Sequence, residues 1–366
     1  MSRFSGFLKR KDIEISAKRY GVEALGAMAQ GLFATLLIGT IINSVGSLFH
    51  IPFLTAPIFT TAGGTAYRLG DFAAAMSGPA MAAAIGYALK APPLVLFSLI
   101  TVGFSSNMLG GAGGPLAVLI VAIIACECGK MVSKETKVDI IVTPMVTIGI
   151  GVFLSWLIAP AIGRGAMAVG GFIMWATDLQ PLFMGIIVSV SVGIALTLPI
   201  SSAAICAALG LTGLAGGAAL AGCCAQMVGF AVISFRENKW GGLISQGIGT
   251  SMLQMGNIVK NPRIWTAPII TSAITGPIAT CLFKLEMNGP AVSSGMGTCG
   301  LVGQIGVYTG WAKDIASGKM SEISIFDHLS LWMISVILPA VIAPVIHYFV
   351  RKKGLVKDGD LSLENQ

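Results

Sequence analysis

Charged residues are scarce in this sequence. Only 11% of its 366 residues are Asp, Glu, Lys or Arg, whereas 55% are hydrophobic, and the mean hydropathy is +0.84. A soluble domain carries roughly 25% charged residues, so this chain has too few to cover a water-exposed surface. The deficit excludes an ordinary soluble enzyme. It predicts an all-α integral membrane protein, in which about 20 apolar residues form each spanning helix.

The sequence also lacks the motifs of catalysis and cofactor binding. It contains no P-loop, no Gly-x-Gly-x-x-Gly loop and no catalytic triad, and none of its three histidines stands at a diagnostic spacing from a second ligand. Its seven cysteines are odd in number and lie mostly in apolar stretches, without a second ligand pair at zinc spacing. We therefore expect no enzyme activity, no metal site and no cofactor.

Basic residues are present in excess, with a net charge of +7, but they are gathered in short segments between apolar runs. This placement is the positive-inside pattern of a multi-pass membrane protein with both termini cytoplasmic. The absence of interleaved aromatic and basic residues argues against nucleic acid as a partner. The four basic clusters are Arg3 to Arg19, Lys130 to Lys137, Arg236 to Arg263, and Arg351 to Lys357.

The apolar segments predict one membrane domain over residues 21–350, between a basic cytoplasmic segment at 1–20 and a cytoplasmic tail at 351–366. If all four basic clusters are cytoplasmic, an even number of crossings separates each consecutive pair. Two segments are then in excess, and the weakest are 51–67 and 287–312. The count becomes about ten transmembrane helices with one or two re-entrant hairpins.

Two further parts of the membrane domain are less regular in sequence. Residues 138–160 and 165–177 are treated as separate apolar segments, the second of them short for a full span. The stretch 240–258 is rich in Gly, Ser and Gln, and is compatible with an interfacial helix or with a further hairpin.

The stretch 287–304 has the most unusual backbone, with five glycines and a proline among Asn, Ser, Thr and Gln residues. Such a backbone cannot face lipid, because each unsatisfied amide in hydrocarbon costs several kcal/mol. We expect it to be buried in protein or to line a hydrated pocket. Glu286 opens this stretch, and its carboxylate either contacts a solute or pairs with nearby Lys284.

Polar groups within apolar spans are costly and often functional, so they supply the other candidate ligands of a small polar solute. The alternative for each is a hydrogen bond between helices. Arg68 and Asp71 are expected to pair locally or to hold a partial helix. The predicted substrate-binding residues are Glu286, Asn288, Ser293, Ser294, Thr298, Gln304, Asn107 and Gln226.

Three motifs carry a family resemblance: Thr60-Thr-Ala-Gly-Gly-Thr65 with Tyr67-Arg68-Leu-Gly-Asp71, Leu196-Thr-Leu-Pro-Ile-Ser-Ser202, and Glu286-Met-Asn-Gly-Pro290. With them the chain resembles, over roughly residues 15–350, the IIC membrane subunits of the bacterial phosphotransferase system. The closer likeness is to a stand-alone branch that includes regulators of the perfringolysin O toxin gene. The resemblance implies a fold of the IIC glucose superfamily, a homodimer, two re-entrant hairpins, an interfacial helix and a sugar site between the hairpin tips.

The function expected from this resemblance is a permease that binds a sugar or similar small polar solute and moves it by alternating access. The Gly-Ile-Thr-Glu motif of glucose-type members is not present as such. No IIA or IIB domain follows residue 350, so either a separate cytosolic IIB-type protein supplies a phosphoryl group or phosphorylation does not take place. A non-transporting sensor or regulator of toxin expression, and a channel or an exporter of lipids or precursors, are the alternatives.

Overall fold

The computed structural model describes residues 3–49, 51–61, 63, 64 and 66–363. Within them, six helical stretches are long and apolar enough to cross a membrane: Arg19–Ser47, Pro93–Val132, Asp139–Thr177, Gly213–Ile233, Pro262–Leu282 and Ile325–Lys352. The prediction of a helical, multi-pass membrane protein is confirmed at this level. The count of ten crossings, the re-entrant hairpins and the dimer stay predictions.

The chain is helical almost throughout the described residues. The α-helices are α1 Arg3–Arg10, α2 Ala24–Leu32, α3 Ile38–Leu48, α4 Pro52–Thr55, α5 Leu69–Ala75, α6 Ser77–Ala88, α7 Pro93–Gly110, α8 Gly114–Val132, α9 Asp139–Thr177, α10 Pro181–Thr197, α11 Ser202–Ala208, α12 Gly213–Ile233, α13 Phe235–Ile244, α14 Met255–Lys260, α15 Thr266–Pro277, α16 Ala291–Ser294, α17 Val302–Ala316, α18 Ile325–Trp332 and α19 Leu338–Lys352. Strands β1 Phe59–Thr60 and β2 Ala66–Tyr67 form a short antiparallel pair, with Phe59 opposite Tyr67.

Wider π-helical turns and tighter 3₁₀ turns join several of these helices. The π-helical turns are Arg19–Glu23, Phe33–Leu37, Ser245–Gly249, Ile278–Leu282 and Met333–Ile337, and the 3₁₀ turns are Gly111–Gly113, Ser251–Gln254, Pro262–Trp265 and Cys299–Leu301. The chain divides into two compact units. The first unit comprises residues up to Leu36 and Ala73–Gly165, and the second comprises Leu37–Phe72 and the residues from Ala166 onward.

In the first unit, helices pack through glycines that let two backbones touch. A Cβ on Gly31 would lie 2.6 Å from the carbonyl oxygen of Ala80, and one on Gly103 would lie 2.2 Å from that of Gly78. Small residues at such crossings allow the close approach that stabilises helix pairs in lipid. Helices α7 and α8 fold back on each other at Gly111, whose φ of 51° favours a glycine.

The long helix α9 corrects one sequence-based division. Residues 138–160 and 165–177 were expected to form two segments, but a single 39-residue helix runs over Asp139–Thr177 with Pro144 and Pro160 inside it. Arg164 interrupts the apolar pattern without ending the helix. A single arginine lowers the hydropathy of a span and so suggests a break in the sequence, but arginine is a good helix former and does not interrupt the helix.

Helix α12 forms the core of the second unit and is buried along nearly its whole length. It packs against α10, α15 and α19. Its composition follows from these contacts, because a Cβ on Gly222 would lie 1.8 Å from the carbonyl oxygen of Ser189, and one on Gly217 equally close to that of Leu285. Only glycine fits where a neighbouring backbone lies directly against the helix.

Two irregular segments of the second unit, 198–212 and 284–301, are joined to each other beside α12. Gly213 and Met287 exchange both backbone hydrogen bonds at 3.0 Å. The Ser202 hydroxyl donates to the Gly295 carbonyl oxygen at 2.7 Å, and the Ser294 hydroxyl donates to that of Leu211 at 3.0 Å. The segment 284–301 is thus neither a regular helix nor a solvent-exposed loop. Its depth in the bilayer stays a prediction.

The stretch 240–258 and the end of the described chain form a second hydrogen-bonded assembly in this unit. The Gln254 amide donates to the side chain of Gln246 at 2.9 Å and to the Leu361 carbonyl oxygen at 2.9 Å, and the Asn257 amide donates to Gln254 at 2.8 Å and to the Ser362 carbonyl oxygen at 2.9 Å. Leu361 is completely buried. The predicted tail is therefore packed against this stretch up to the last described residue.

Candidate functional site

Two cavities of the second unit lie on either side of the Asn288-Gly289-Pro290 turn. Asn288 and Gly289 line the larger one, and Pro290 lines the smaller one. Helix α17 contributes to both. The turn is seated directly on this helix, because a Cβ on Gly289 would lie 2.1 Å from the Gly306 carbonyl oxygen. The glycine is required here for close backbone approach, and the turn forms the partition between the cavities.

The larger cavity has a volume of about 640 Å³ and a charged lining. One Asn288 side chain organises its carboxylates, since its Nδ2 donates to Glu286 Oε2 at 3.0 Å and to Asp314 Oδ2 at 2.8 Å. Three lysines, Lys284, Lys313 and Lys319, lie on the same lining. This arrangement offers both hydrogen-bond acceptors and donors to a polar molecule.

The smaller cavity, of about 330 Å³, is lined by one face of α3. The lining residues of that helix are Thr40, Asn43, Ser44 and Ser47. Their spacing of three and four residues places four polar side chains along one side of an otherwise apolar helix. Ser293, Gly306 and Thr309 lie on the opposing wall.

An ion pair anchors the polar face of α3 at this cavity. Asp71 accepts from the backbone nitrogen of Arg68 at 2.9 Å and from its Nε at 3.2 Å. Of the two expectations from the sequence, a local pair or support of a partial helix, the local pair is present. Asn43 Nδ2 donates to the other oxygen of Asp71 at 2.7 Å. Burial raises the pKa of Asp71, but the hydrogen bonds from Arg68 and Asn43 outweigh it and leave the pKa below its usual value.

Asn43 has a further feature at its side-chain oxygen. Its Oδ1 is buried, and it finds no hydrogen-bond partner in the described part of the chain. A buried acceptor without a partner costs about 1–3 kcal/mol, so native proteins rarely leave one unsatisfied without a reason. This oxygen lies against Gly70, since a Cβ added to that glycine would be 2.5 Å from it.

The predicted site residues divide among several places. Glu286 and Asn288 meet in the larger cavity, and Ser293 lines the smaller one. Ser294 and Thr298 donate to backbone carbonyl oxygens, those of Leu211 and Gly247. These two hydroxyls hold segment 284–301 in place.

The remaining three predicted residues are interior. Gln304 donates to Cys224 Sγ at 3.5 Å, and its Oε1 is buried with no partner among the described residues. Gln226 is hydrogen-bonded to Ser272 at 3.2 Å and to the Trp265 indole at 2.8 Å. Asn107 belongs to the first unit, where its Nδ2 lies 3.5 Å from Ser77 Oγ.

The polar face of α3 was missed in the sequence. Its signal was available, since Thr40, Asn43, Ser44 and Ser47 recur at helical spacing near the end of the first apolar run. The motif residues Ala62 and Thr65, together with His50, lie outside the described residues. Among those that are described, no group of three or more His, Cys, Asp or Glu side chains is arranged to hold a metal ion.

Comparison with known proteins gives one result. The family model described as "Phosphotransferase system, EIIC" matches residues 22–363. No curated protein and no solved structure matches the chain.

Proposed function

The chain belongs to the EIIC family of the phosphotransferase system and is a membrane transporter component, and we propose that it binds a sugar or similar small polar solute in the smaller cavity of the second unit. The observation that carries this proposal is the polar face of α3, whose residues Thr40, Asn43, Ser44 and Ser47 all line the cavity. Polar side chains within an apolar span are expensive and generally mark a solute pathway.

The lining has the chemistry that a sugar requires. A hydroxyl group both donates and accepts, and the cavity offers the Arg68 donor, the Ser293 hydroxyl, and the Thr309 hydroxyl as an acceptor, since Thr309 already donates to the Ile305 carbonyl oxygen. The volume of about 330 Å³ lies within the range of roughly 300–1,000 Å³ usual for small-molecule sites. The fit is to a monosaccharide-sized solute.

Glu286 and Asn288, which the sequence favoured, belong in this proposal as residues of the adjoining larger cavity. Because the Asn288-Gly289-Pro290 turn separates the two cavities, a change at the turn affects both. We place the solute in the smaller cavity and assign Glu286 to the neighbouring polar space. Ser294 and Thr298 position the segment without contacting the solute.

We propose that transport proceeds by alternating access, and the placement of the cavities supports this. Both cavities and both irregular segments lie within the second unit, which is what a mobile substrate-holding body requires. We propose that the functional form is a homodimer in the bacterial cytoplasmic membrane. We further propose that a separate cytosolic IIB-type protein is its partner, in keeping with the family.

Equilibrium binding tests the proposal. Purified protein is screened against sugars by thermal shift, and each hit is titrated calorimetrically with wild type, Asn43→Ala and Ser293→Ala. Each variant should bind roughly tenfold more weakly, because each removes one hydrogen bond of about 1–1.5 kcal/mol. Thr177→Ala is the control, because Thr177 lines neither cavity and its hydroxyl donates within α9, and this variant should bind like wild type.

The result separates the two cavities. Weakened binding in Glu286→Gln together with unchanged binding in Asn43→Ala and Ser293→Ala would move the solute to the larger cavity. A screen in which no sugar or sugar-like solute stabilises the wild type would overturn the proposal. Uptake into proteoliposomes then tests translocation itself.

A further inference from the structure

A third cavity, in the first unit, has a positively charged lining. It has a volume of about 500 Å³ and lies where α1, α6 and α8 end. Its charged lining residues are five cations and two carboxylates, Arg10, Lys11, Lys90, Lys130 and Lys134 against Asp12 and Glu135. The function proposed above uses none of these groups.

Most of these cations are already paired within the protein. Lys130 is almost fully buried, and its Nζ donates to the Asp12 and Leu89 carbonyl oxygens at 2.7 and 3.0 Å. It also forms an ion pair with Glu127 Oε2 at 3.1 Å. Lys11 and Arg10 both pair with Glu135. These contacts balance the carboxylates and the carbonyl oxygens at the helix ends.

The Asp12 carboxylate is neutralised as well. Arg19 Nη2 lies 2.8 Å from Asp12 Oδ2 and also donates to the Leu89 carbonyl oxygen at 3.0 Å. This hydrogen bond, together with the charge of Arg19, lowers the pKa of Asp12. The carboxylates around the cavity are therefore ionised and matched by cations at neutral pH.

Lys90 and Lys134 are the two remaining cations of the cavity lining. Both adopt left-handed backbone conformations, with φ of 55° and 61°, just after α6 and α8. Both line the cavity, and neither ammonium group forms a hydrogen bond or a close ion pair with another described residue. The carboxylates of Asp12 and Asp139 act on them only from a longer distance. Pro92 also lies on the lining and brings the N-terminus of α7, with its positive end of the helix dipole, to the same place.

We propose that this cavity binds a phosphate group, with Lys90 and Lys134 as its charge partners. A phosphate carries one or two negative charges and several acceptor oxygens, which matches two unpaired ammonium groups beside a helix N-terminus. The phosphate belongs to an anionic phospholipid or to a soluble phosphate. Helix α1 favours the lipid, because Phe7 and Leu8 next to Lys9 and Arg10 form a short amphipathic helix of the kind that lies on a bilayer surface.

The experiment compares two ligands and two charge-matched variants of the full chain. Delipidated protein is titrated with phosphatidylglycerol or phosphatidylcholine and the bound lipid is counted by native mass spectrometry, and inorganic phosphate is titrated calorimetrically. The test variant is Lys90→Gln/Lys134→Gln. The control variant is Lys352→Gln/Lys353→Gln, which removes two exposed positive charges at the end of α19.

We expect one phosphatidylglycerol to bind the wild type and the control variant in preference to phosphatidylcholine. The test variant should bind it roughly tenfold to thirtyfold more weakly, given the contribution of each lysine near an anionic surface. Binding of inorganic phosphate that the test variant loses, without selective lipid binding, supports the site and assigns it to a soluble phosphate. Equal weakening in test and control variants, or no binding of either ligand, overturns the proposal.

The variants also guard against misfolding. Lys90 and Lys134 are exposed and glutamine fits at both positions, so the thermal unfolding temperature of the lipid-free test variant should match that of the control. If it does not, Lys90→Arg/Lys134→Arg keeps the charge, and restored phosphatidylglycerol binding in that variant supports the site. Binding that stays lost in the arginine variant overturns the assignment to charge.

Discussion

The Thr298 hydroxyl donates to the carbonyl oxygen of Gly247 at 2.5 Å. This bond joins the irregular segment 284–301 to the π-helical turn Ser245–Gly249. The turn includes Gln246, whose Oε1 accepts a hydrogen bond from the Gln254 amide. The same amide donates to the Leu361 carbonyl oxygen. Hydrogen bonds and the backbone of this turn therefore link the end of the described chain with the segment that borders both cavities of the second unit.

Replacing Thr298 with valine should destabilise the protein. The change preserves side-chain shape but leaves the Gly247 carbonyl oxygen without its donor, at a cost of about 1–3 kcal/mol. The measurement is thermal unfolding in detergent. Thr177→Val is the control, because Thr177 is only partly buried and its hydroxyl donates within its own helix. An equal effect of the two substitutions would show that the Thr298 bond contributes nothing specific.

Removing the chain after Lys353 should loosen the stretch 235–261. Four amide side chains, those of Asn238, Gln254, Asn257 and Asn261, donate to backbone carbonyl oxygens of residues 355–362 and lose these acceptors. The cavity filled by Leu361 also empties. Faster backbone hydrogen exchange over 235–261 is expected, whereas a chain ending after Leu363 should exchange like wild type. Unchanged protection in the shorter chain would contradict the structural role of these contacts.

The ion pair of Asp71 predicts a pH dependence with a definite sign. Because its pKa is lower in the folded state, Asp71 contributes stability above its unfolded pKa of about 3.9, and this contribution is lost as the pH falls through the lower folded value. The difference in unfolding temperature between wild type and Asp71→Asn should therefore be constant from about pH 5 to 8 and shrink below about pH 4. A difference that persists unchanged in acid would show that the asparagine perturbs packing instead.

The sequence identified features that depend on local composition. The apolar runs and basic clusters predicted a helical membrane protein. The glycines and proline of 287–304 marked a segment that the structure shows to be irregular, and buried over most of its length. Glu286 and Asn288 were both predicted site residues, and they contact each other because the turn that joins them is local.

Other features depend on distant partners and were not predictable in this way. Thr298 and Gln304 resemble solute ligands in sequence, but Gly247 and Cys224 become their partners only through packing across α12. The importance of Asn43 likewise depends on Asp71, 28 residues away, and on a cavity wall from α17. The mean hydropathy of the first apolar run hides the four polar residues of α3. They are detected only when their recurrence on one face of the helix is considered.

The close contact between the Asn288-Gly289-Pro290 turn and helix α17 gives the sharpest test of the proposed site. A Cβ on Gly289 would lie 2.1 Å from a backbone carbonyl oxygen, which has no flexible side chain to move aside, so Gly289→Ala must displace the turn. We expect a loss of stability of roughly 1–3 kcal/mol together with weakened sugar binding. Gly171→Ala is the control, since nothing lies within 4 Å of its added Cβ in α9, and alanine there should be neutral or slightly stabilising. If Gly289→Ala binds sugar like wild type, the partition between the two cavities has no part in solute recognition, and the site must be sought away from segment 284–301.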